Sequence, residues 1–178
     1  MRKNITSELK TGKISTPIGD MLAAASDNGI SLLEFTGLDR CEKNLSVVSK
    51  NLNFGSGAKA EKLLDELFLQ ITEYFAGKRR NFNIPLDINI GTLFQKQAWD
   101  ALLTIPYGIT KSYKEQAEII NNPKAVRAIG NANKRNPISI IVPCHRVIGA
   151  NGKLVGYGGG LWRKEYLLNL EFSNKKNK

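Results

Sequence analysis

The sequence predicts a mixed α/β (α+β) fold in two parts. Residues 1–90 read as a small domain of strand hairpin plus helix, and residues 91–178 as a mostly helical domain containing a helix-turn-helix. Three observations carry this. Short β-forming runs around an Asn-Gly pair open the chain, a helical period spans residues 58–75, and two short helical patterns flank Asn121-Asn122-Pro123.

The elements follow in order. Lys13–Pro17 and Met21–Ala25 read as strands, and Asn28-Gly29 offers the positive φ of a tight hairpin turn before the apolar run Ile30–Phe35. Leu63, Leu64, Leu67, Phe68, Ile71, Tyr74 and Phe75 recur at helical spacing, and Gly77 stands where a helix C-terminus favours glycine, so a helix is expected over 58–76. Lys78-Arg79-Arg80-Asn81-Phe82-Asn83, Pro85 and Gly91 are polar and punctuated, which reads as a linker with the domain boundary near residue 90. Leu93–Leu103 carries Phe94, Ala98, Trp99, Leu102 and Leu103 on one helical face and stops at Pro106-Tyr107-Gly108. Ser112-Tyr113-Lys114-Glu115 fits a capping box, so a short helix is expected from Tyr113 to Ile120. A second runs from Lys124 to Asn133 after the Asn-Asn-Pro break. Ile138–Val142 is a β-branched run expected to form a buried strand leading to Pro143 and Cys144, with a glycine-rich loop behind it. Trp162–Leu170 closes the chain as an amphipathic helix, with a frayed lysine-rich tail from Ser173 to Lys178.

Composition narrows the function. The 178 residues are 42% hydrophobic and 24% charged, an ordinary globular balance that excludes disorder as the main state. No window is apolar enough to span a membrane, and Met1–Thr6 lacks the apolar stretch of a secretory signal, so a cytoplasmic location is expected. Two distant cysteines, Cys41 and Cys144, and the single His145 fit neither a disulfide framework nor a normal zinc site, so no metal is expected. Net charge is +10 and sits asymmetrically: residues 1–90 carry 12 basic and 11 acidic side chains, residues 91–178 carry 14 and 5. A basic second half points to a polyanionic partner, foremost nucleic acid.

The densest chemical cluster is Pro143-Cys144-His145-Arg146-Val147. Cysteine attacks as thiolate and needs a neighbour that takes its proton or stabilises its charge. In an extended segment adjacent side chains point to opposite sides, so adjacency alone does not set a direct Cys144–His145 hydrogen bond, and a bridging water is the other route.

Ile141-Val142-Pro143-Cys144-His145-Arg146-Val147-Ile148 resembles the active-site signature of the O6-alkylguanine-DNA alkyltransferases. Asn136-Pro137, Gly156-Tyr157-Gly158-Gly159-Gly160-Leu161, Ser112-Tyr113 and Ala125-Val126-Arg127-Ala128-Ile129-Gly130 stand at that family's spacings, so the likeness runs from Phe94 to Glu171. The first 90 residues are similar only in length and element order, and lack the zinc ligands some members carry there.

The resemblance implies direct-reversal DNA repair, a methylated-DNA–protein-cysteine S-methyltransferase activity. O6-alkylguanine, and O4-alkylthymine with it, would be flipped from the duplex and its alkyl group moved irreversibly to Cys144, once per molecule. It implies that His145 deprotonates Cys144 through water, that Glu171 orients His145, and that Asn136 bridges the helix-turn-helix to the active-site segment. Without the resemblance, Glu171 reads as a surface helix residue. The Tyr113 hydroxyl would lie near ring N3 and the Gly158 amide near O6. The carbonyls of Cys144 and Val147 would accept from the exocyclic amine, and Tyr157 would pack along the base. Gly158 stands where some members have serine, which removes a side chain and keeps the amide.

The same resemblance places the second helix in the minor groove, where the small residues Ala125, Ala128 and Gly130 allow close approach and Arg127 enters the stack in place of the flipped base. Lys124, Lys134 and Arg135 would contact phosphates. The implied partner is double-stranded DNA bearing O6-alkylguanine, bound by a monomer with no cofactor and no membrane, nucleoid-associated in a prokaryote. The alternatives are a non-catalytic alkyltransferase-like lesion-binding protein, which would lack the cysteine, and a cysteine hydrolase, for which no second half-reaction is in view.

Overall fold

The computed structural model describes residues 9–51 and 57–176 and divides into two compact units, Met1–Ile90 and Gly91–Lys178. In the first unit, β1 (Lys10–Ile14), β2 (Met21–Ser26) and β3 (Gly29–Phe35) form an antiparallel sheet in that order. Two helices follow, α1 (Asp39–Asn51) and α2 (Ala58–Phe75), with α1 packed on β3 and α2 on all three strands. The mixed α/β class is as expected, with four local differences.

The hairpin turn is centred on Asp27 and Asn28, because Ser26 pairs with Gly29, and neither Asn28 nor Gly29 has positive φ. Gly29 is needed for space instead. A Cβ there would lie 2.6 Å from the Pro85 carbonyl oxygen. That contact explains the second difference: residues 85–87 are no free linker but add to the sheet edge, with the Ile30 amide donating to Pro85 O at 2.9 Å and the Asp87 amide to Ile30 O at 2.8 Å. Gln70 of α2 fixes the approach, donating from Nε2 to Asn83 O and accepting the Asn83 amide. The third is α1, which no sequence signal singled out: it is mostly polar, and Cys41 and Val48 are its buried apolar residues among those described. β1 also lies three residues earlier than expected.

Asp27 does more than turn the chain. Its carboxylate accepts the amides of Gly57, Lys59 and Ala60, serving the orphan donors at the start of α2, where Gly57 itself offers no side-chain cap. Asp27→Ala is expected to lower stability by about 1–2 kcal/mol, read as a shift in the urea midpoint. An unshifted midpoint would show that water serves those amides equally well.

The second unit is built on α3 (Leu93–Leu103), α4 (Tyr113–Ile119) and α5 (Val126–Lys134), packed around Ala98, Ala117, Ile129 and Ala132. Small core residues bring the helices close. Trp99 spans the gap and donates from Nε1 to Ala132 O at 2.9 Å. The α4–α5 pair is clamped by a buried reciprocal bond between Gln116 and Asn133, 2.7 and 3.0 Å, while Gln116 also donates to Ala98 O. The Ser112 capping box is present, and α5 begins at Val126, leaving Lys124 and Ala125 just before it.

Ile138–Val142 is not a strand. Its residues are buried, yet the backbone folds into tight turns and Ile140 takes φ +74°. The reason is Asn136, whose side chain substitutes for a neighbouring strand: Nδ2 donates to Val142 O at 2.8 Å and Ile138 O at 3.4 Å, and Oδ1 accepts the Ile138 amide at 3.0 Å. Cys144–Arg146 then forms one 3-10 turn, and β5 (Val147–Ile148) pairs in parallel with β4 (Lys111–Ser112). The last helix, α6, runs from Leu161 to Lys176, so the segment from Ser173 that the composition marks as a frayed tail continues the helix; residues 177–178 lie outside the described residues.

Candidate active site

The turn after Val142 brings the reactive residues inside. Cys144 is 4% exposed, and Asn136 Nδ2 donates to its Sγ at 3.4 Å. The 3-10 geometry sends the next side chain inward too, where His145 Nε2 lies 2.8 Å from Glu171 Oε1, both residues wholly buried. His145 Nδ1 has no hydrogen-bond partner. The expected set of Cys144, His145, Glu171 and Asn136 is therefore gathered at one place, and Glu171 is no surface residue.

Glu171 serves more than His145. Arg146 grips both its oxygens, Nε at 3.0 Å from Oε2 and Nη2 at 2.9 Å from Oε1, and the Gly108 amide donates to Oε2 at 2.8 Å. Burial would raise the Glu171 carboxyl, but the His145 and Arg146 donors outweigh it and hold the group well below the usual carboxylate range. His145 is shifted down, first by burial and then by Arg146 and Lys164, against the pull of Glu171. Burial favours the neutral imidazole, and opposite an ionised Glu171 the ring nitrogen Nε2 is the donor, which leaves Nδ1 able to accept.

Tyr113, the first residue of α4, donates its hydroxyl to the carbonyls of Val155 and Gly156 at 3.0 and 3.1 Å. Gly156 makes room for it, since at φ +56° a Cβ would stand 3.0 Å from that hydroxyl. Burial, with the nearby Cys144 second, pushes the Tyr113 phenol up to about 12, so it remains a donor at neutral pH. Beside it opens a cleft of about 710 Å³ whose walls include Tyr113, Arg127, Gly130, Lys134, Tyr157 and Gly158. Arg127, Ala128, Lys124, Lys134 and Arg135 are exposed, with Ala125 and Gly130 half-buried. Of the basic side chains, Arg127 and Lys134 line the cleft, and Lys124 and Arg135 lie just beyond the two ends of α5. A Cβ on Gly130 would meet the Tyr113 ring at an ordinary 3.8 Å, so alanine would fit there.

Two residues to which the sequence assigns no role belong to this site. One is Arg146. The other is Lys164, completely buried, whose Nζ donates to Val147 O at 2.5 Å and Val155 O at 2.7 Å and stands 5.8 Å from the Tyr113 ring centre. Burial brings the ammonium down to about 8, against the pull of Cys144. Lys164 ties the glycine-rich loop to β5 and occupies one lone pair of the Val147 carbonyl, while the Val147 amide donates to Cys144 O. Each carbonyl keeps a second lone pair for a base.

Fold and site together define a helix-turn-helix protein with a buried cysteine–histidine–carboxylate centre. Residues 93–173 match the 6-O-methylguanine DNA methyltransferase DNA-binding domain, and residues 9–88 the ribonuclease-like domain of the same proteins. The methylated-DNA–protein-cysteine methyltransferase of Methanosarcina acetivorans is 48% identical over 158 residues, 89% of this chain and 95% of that one. That of Mycobacterium leprae is 47% identical, covering 89% of each. The crystal structure of Mycobacterium tuberculosis O6-methylguanine methyltransferase superposes with a TM-score of 0.76 at 42% identity over 94% of both chains. A complex of the same organism's protein with DNA gives 0.76 at 43%, over 92% of this chain and 93% of that one. The chain belongs to the 6-O-methylguanine DNA methyltransferase family.

Proposed function

We propose that this chain repairs DNA by direct reversal, acting as a methylated-DNA–protein-cysteine S-methyltransferase that moves an alkyl group from O6-alkylguanine, or O4-alkylthymine, to Cys144. The observation that carries the reading is the buried Asn136–Cys144 and His145–Glu171 pairing beside a cleft walled by the helix-turn-helix. No helix among the described residues is long and apolar enough to cross a membrane. The working form is a monomer on duplex DNA, nucleoid-associated in a prokaryote, with no cofactor.

Each residue has a task. The Cys144 thiol proton passes through a water to His145 Nδ1, and Glu171 holds the ring by its Nε2–H. The thiolate attacks the alkyl carbon, so a carbon–sulfur bond forms as the carbon–O6 bond breaks and its electron pair leaves with guanine. Tyr113 turns its one hydroxyl proton from the Val155 and Gly156 carbonyls to ring N3, the Gly158 amide donates to O6, and the thiol's proton finally returns to the base. The carbonyls of Cys144 and Val147 read the exocyclic amine, and Tyr157 packs along the ring. Arg127 fills the vacated stack, Ala125, Ala128 and Gly130 permit close approach, and Lys124, Lys134 and Arg135 hold phosphates. Cys144 weighs against the non-catalytic lesion-binding alternative.

The test is an excess of oligonucleotide carrying labelled O6-methylguanine. Label should move to the protein, plateau at one mole per mole and raise its mass by one methyl, because a thioether offers no carbonyl or acidic leaving group for hydrolysis. Binding without transfer would favour the lesion-binding protein, and released label with sustained turnover the hydrolase.

Arg127→Ala should slow repair in duplex DNA by about a hundredfold, the scale of a few kcal/mol of lost extrusion energy. Reaction with free benzylguanine, which needs no extrusion, should be little changed. Equal losses on both substrates would remove the flipping role.

A further inference from the structure

We propose that Arg146 is the positioning residue that sets the resting state of the site: its guanidinium neutralises and fixes Glu171, so that His145 waits as an uncharged base rather than as an imidazolium. The inference rests on the alkyl-acceptor reading of Cys144 and adds a role to that site.

The geometry is over-determined. Arg146 reaches Glu171 with Nε and Nη2, donates from Nη1 to Ile105 O at 2.6 Å, and lies 5.7 Å above the Tyr107 ring centre. Its side chain is 8% exposed, and that of Glu171 is not exposed at all. A fork held at three places cannot swing away, so the carboxylate it grips has one orientation, with Oε1 on His145 Nε2.

The balance of charge runs through the same atoms. A buried carboxylate whose partners were only His145 and one backbone amide would be an uncompensated negative charge, and the imidazole would compensate it by taking a proton from solvent. An imidazolium cannot accept from Cys144. With Arg146 in place the carboxylate is already paired, and its cation repels a second positive charge on the adjacent ring. The other charged groups around His145 act together with it. Lys164 of α6 opposes protonation, Glu171 favours it, and Cys144 is the group whose proton is to be taken. Helix α3 also packs on this turn, with its charged residues Lys96 half-buried and Asp100 exposed. Removing Arg146 therefore leaves Glu171 dominant, and the proton affinity of His145 rises.

His145 is the sole histidine of the chain, so its ring nitrogens can be followed by NMR without assignment ambiguity. In the wild-type protein the ring should be neutral at pH 6.5, protonated on Nε2. In Arg146→Met its titration should rise by about one to three pH units, and the acid limb of the single-turnover transfer rate should rise with it. Arg146→Lys keeps the charge but not the fork, so it should restore the titration while transfer stays slow. A wild-type imidazolium at neutral pH, or Arg146→Met with an unmoved titration, overturns the proposal. Should Arg146→Met not fold, Arg146→Met/Glu171→Gln decides. If Arg146 acts through Glu171, removing both charges restores folding and a neutral ring; a double variant that also fails to fold makes Arg146 mere scaffolding and the proposal wrong. Absence of label transfer by the wild type would instead sink the alkyl-acceptor reading, with the NMR result for Arg146 unaffected.

Discussion

Cys144→Ala is expected to abolish alkyl transfer completely while leaving affinity for alkylated duplex largely intact. The thiol supplies the bond-forming atom, and nothing else near it can. Binding depends on other groups: the exposed Arg127, Lys134 and Arg135 of the helix-turn-helix, and a cleft wall to which Cys144 does not contribute. Cys41 cannot substitute. It is buried on α1, and burial followed by Glu34 and Glu42 pushes its thiol up, which starves it of thiolate. Cys41→Ala should therefore transfer at the wild-type rate. Intact mass after exposure to alkylated DNA separates the two, and an added alkyl group on the Cys144→Ala protein would mean the acceptor is elsewhere.

Asn136→Ala should be the most damaging substitution for stability in the second unit, at about 3 kcal/mol or more, a large share of the roughly 5–15 kcal/mol typical of a domain. The side chain serves the Ile138 amide and the Ile138 and Val142 carbonyls in a place water does not reach, and alanine would leave them without that partner. Asn136→Asp sharpens the test. It keeps the acceptor for the Ile138 amide, loses the donors to Val142 O and to Cys144 Sγ, and sets a carboxylate beside the developing thiolate. Urea unfolding should place it between wild type and alanine, while transfer should fall as far as in Asn136→Ala. Stability unchanged in both variants would show that the turn holds itself together.

Much of this was legible in the sequence because local rules decide it. Residues 58–75 and 93–103 form helices where the apolar period says they should, and the Ser112 capping box forms as written. What failed did so where a distant group overrides local preference. Gly29 suggested a left-handed turn, but it is a glycine because Pro85 passes against it. Ile138–Val142 carries a strand's composition, and a single asparagine side chain supplies the bonds a strand would seek elsewhere. The site divides the same way. Cys144 and His145 announce themselves by adjacency, whereas the motif does not say that Arg146 folds back onto Glu171. Yet one signal was available for the last helix. Leu167 and Leu168 fix its inner face, and Lys164 and Glu171, three positions before the one and three after the other, fall on that same face. Two charged residues in phase with a helix's apolar stripe are buried charges, and buried charges need partners.

The turns at Ile138–Val142 also bear on how the chain survives before it is folded. Ile138-Ser139-Ile140-Ile141-Val142 is an uncharged, β-branched stretch, the composition from which intermolecular cross-β pairing grows. Pro137 and Pro143 bracket it, each lacking an amide hydrogen, and hold it to five residues, the short end of the roughly five to seven over which such pairing grows. The native state then adds its own barrier, since Ile140 at φ +74° cannot be returned to an extended strand without first releasing Asn136. During synthesis the two proline rings guard a sticky segment, and once the asparagine seats, the hazard is locked away with the thiol it helps to hold.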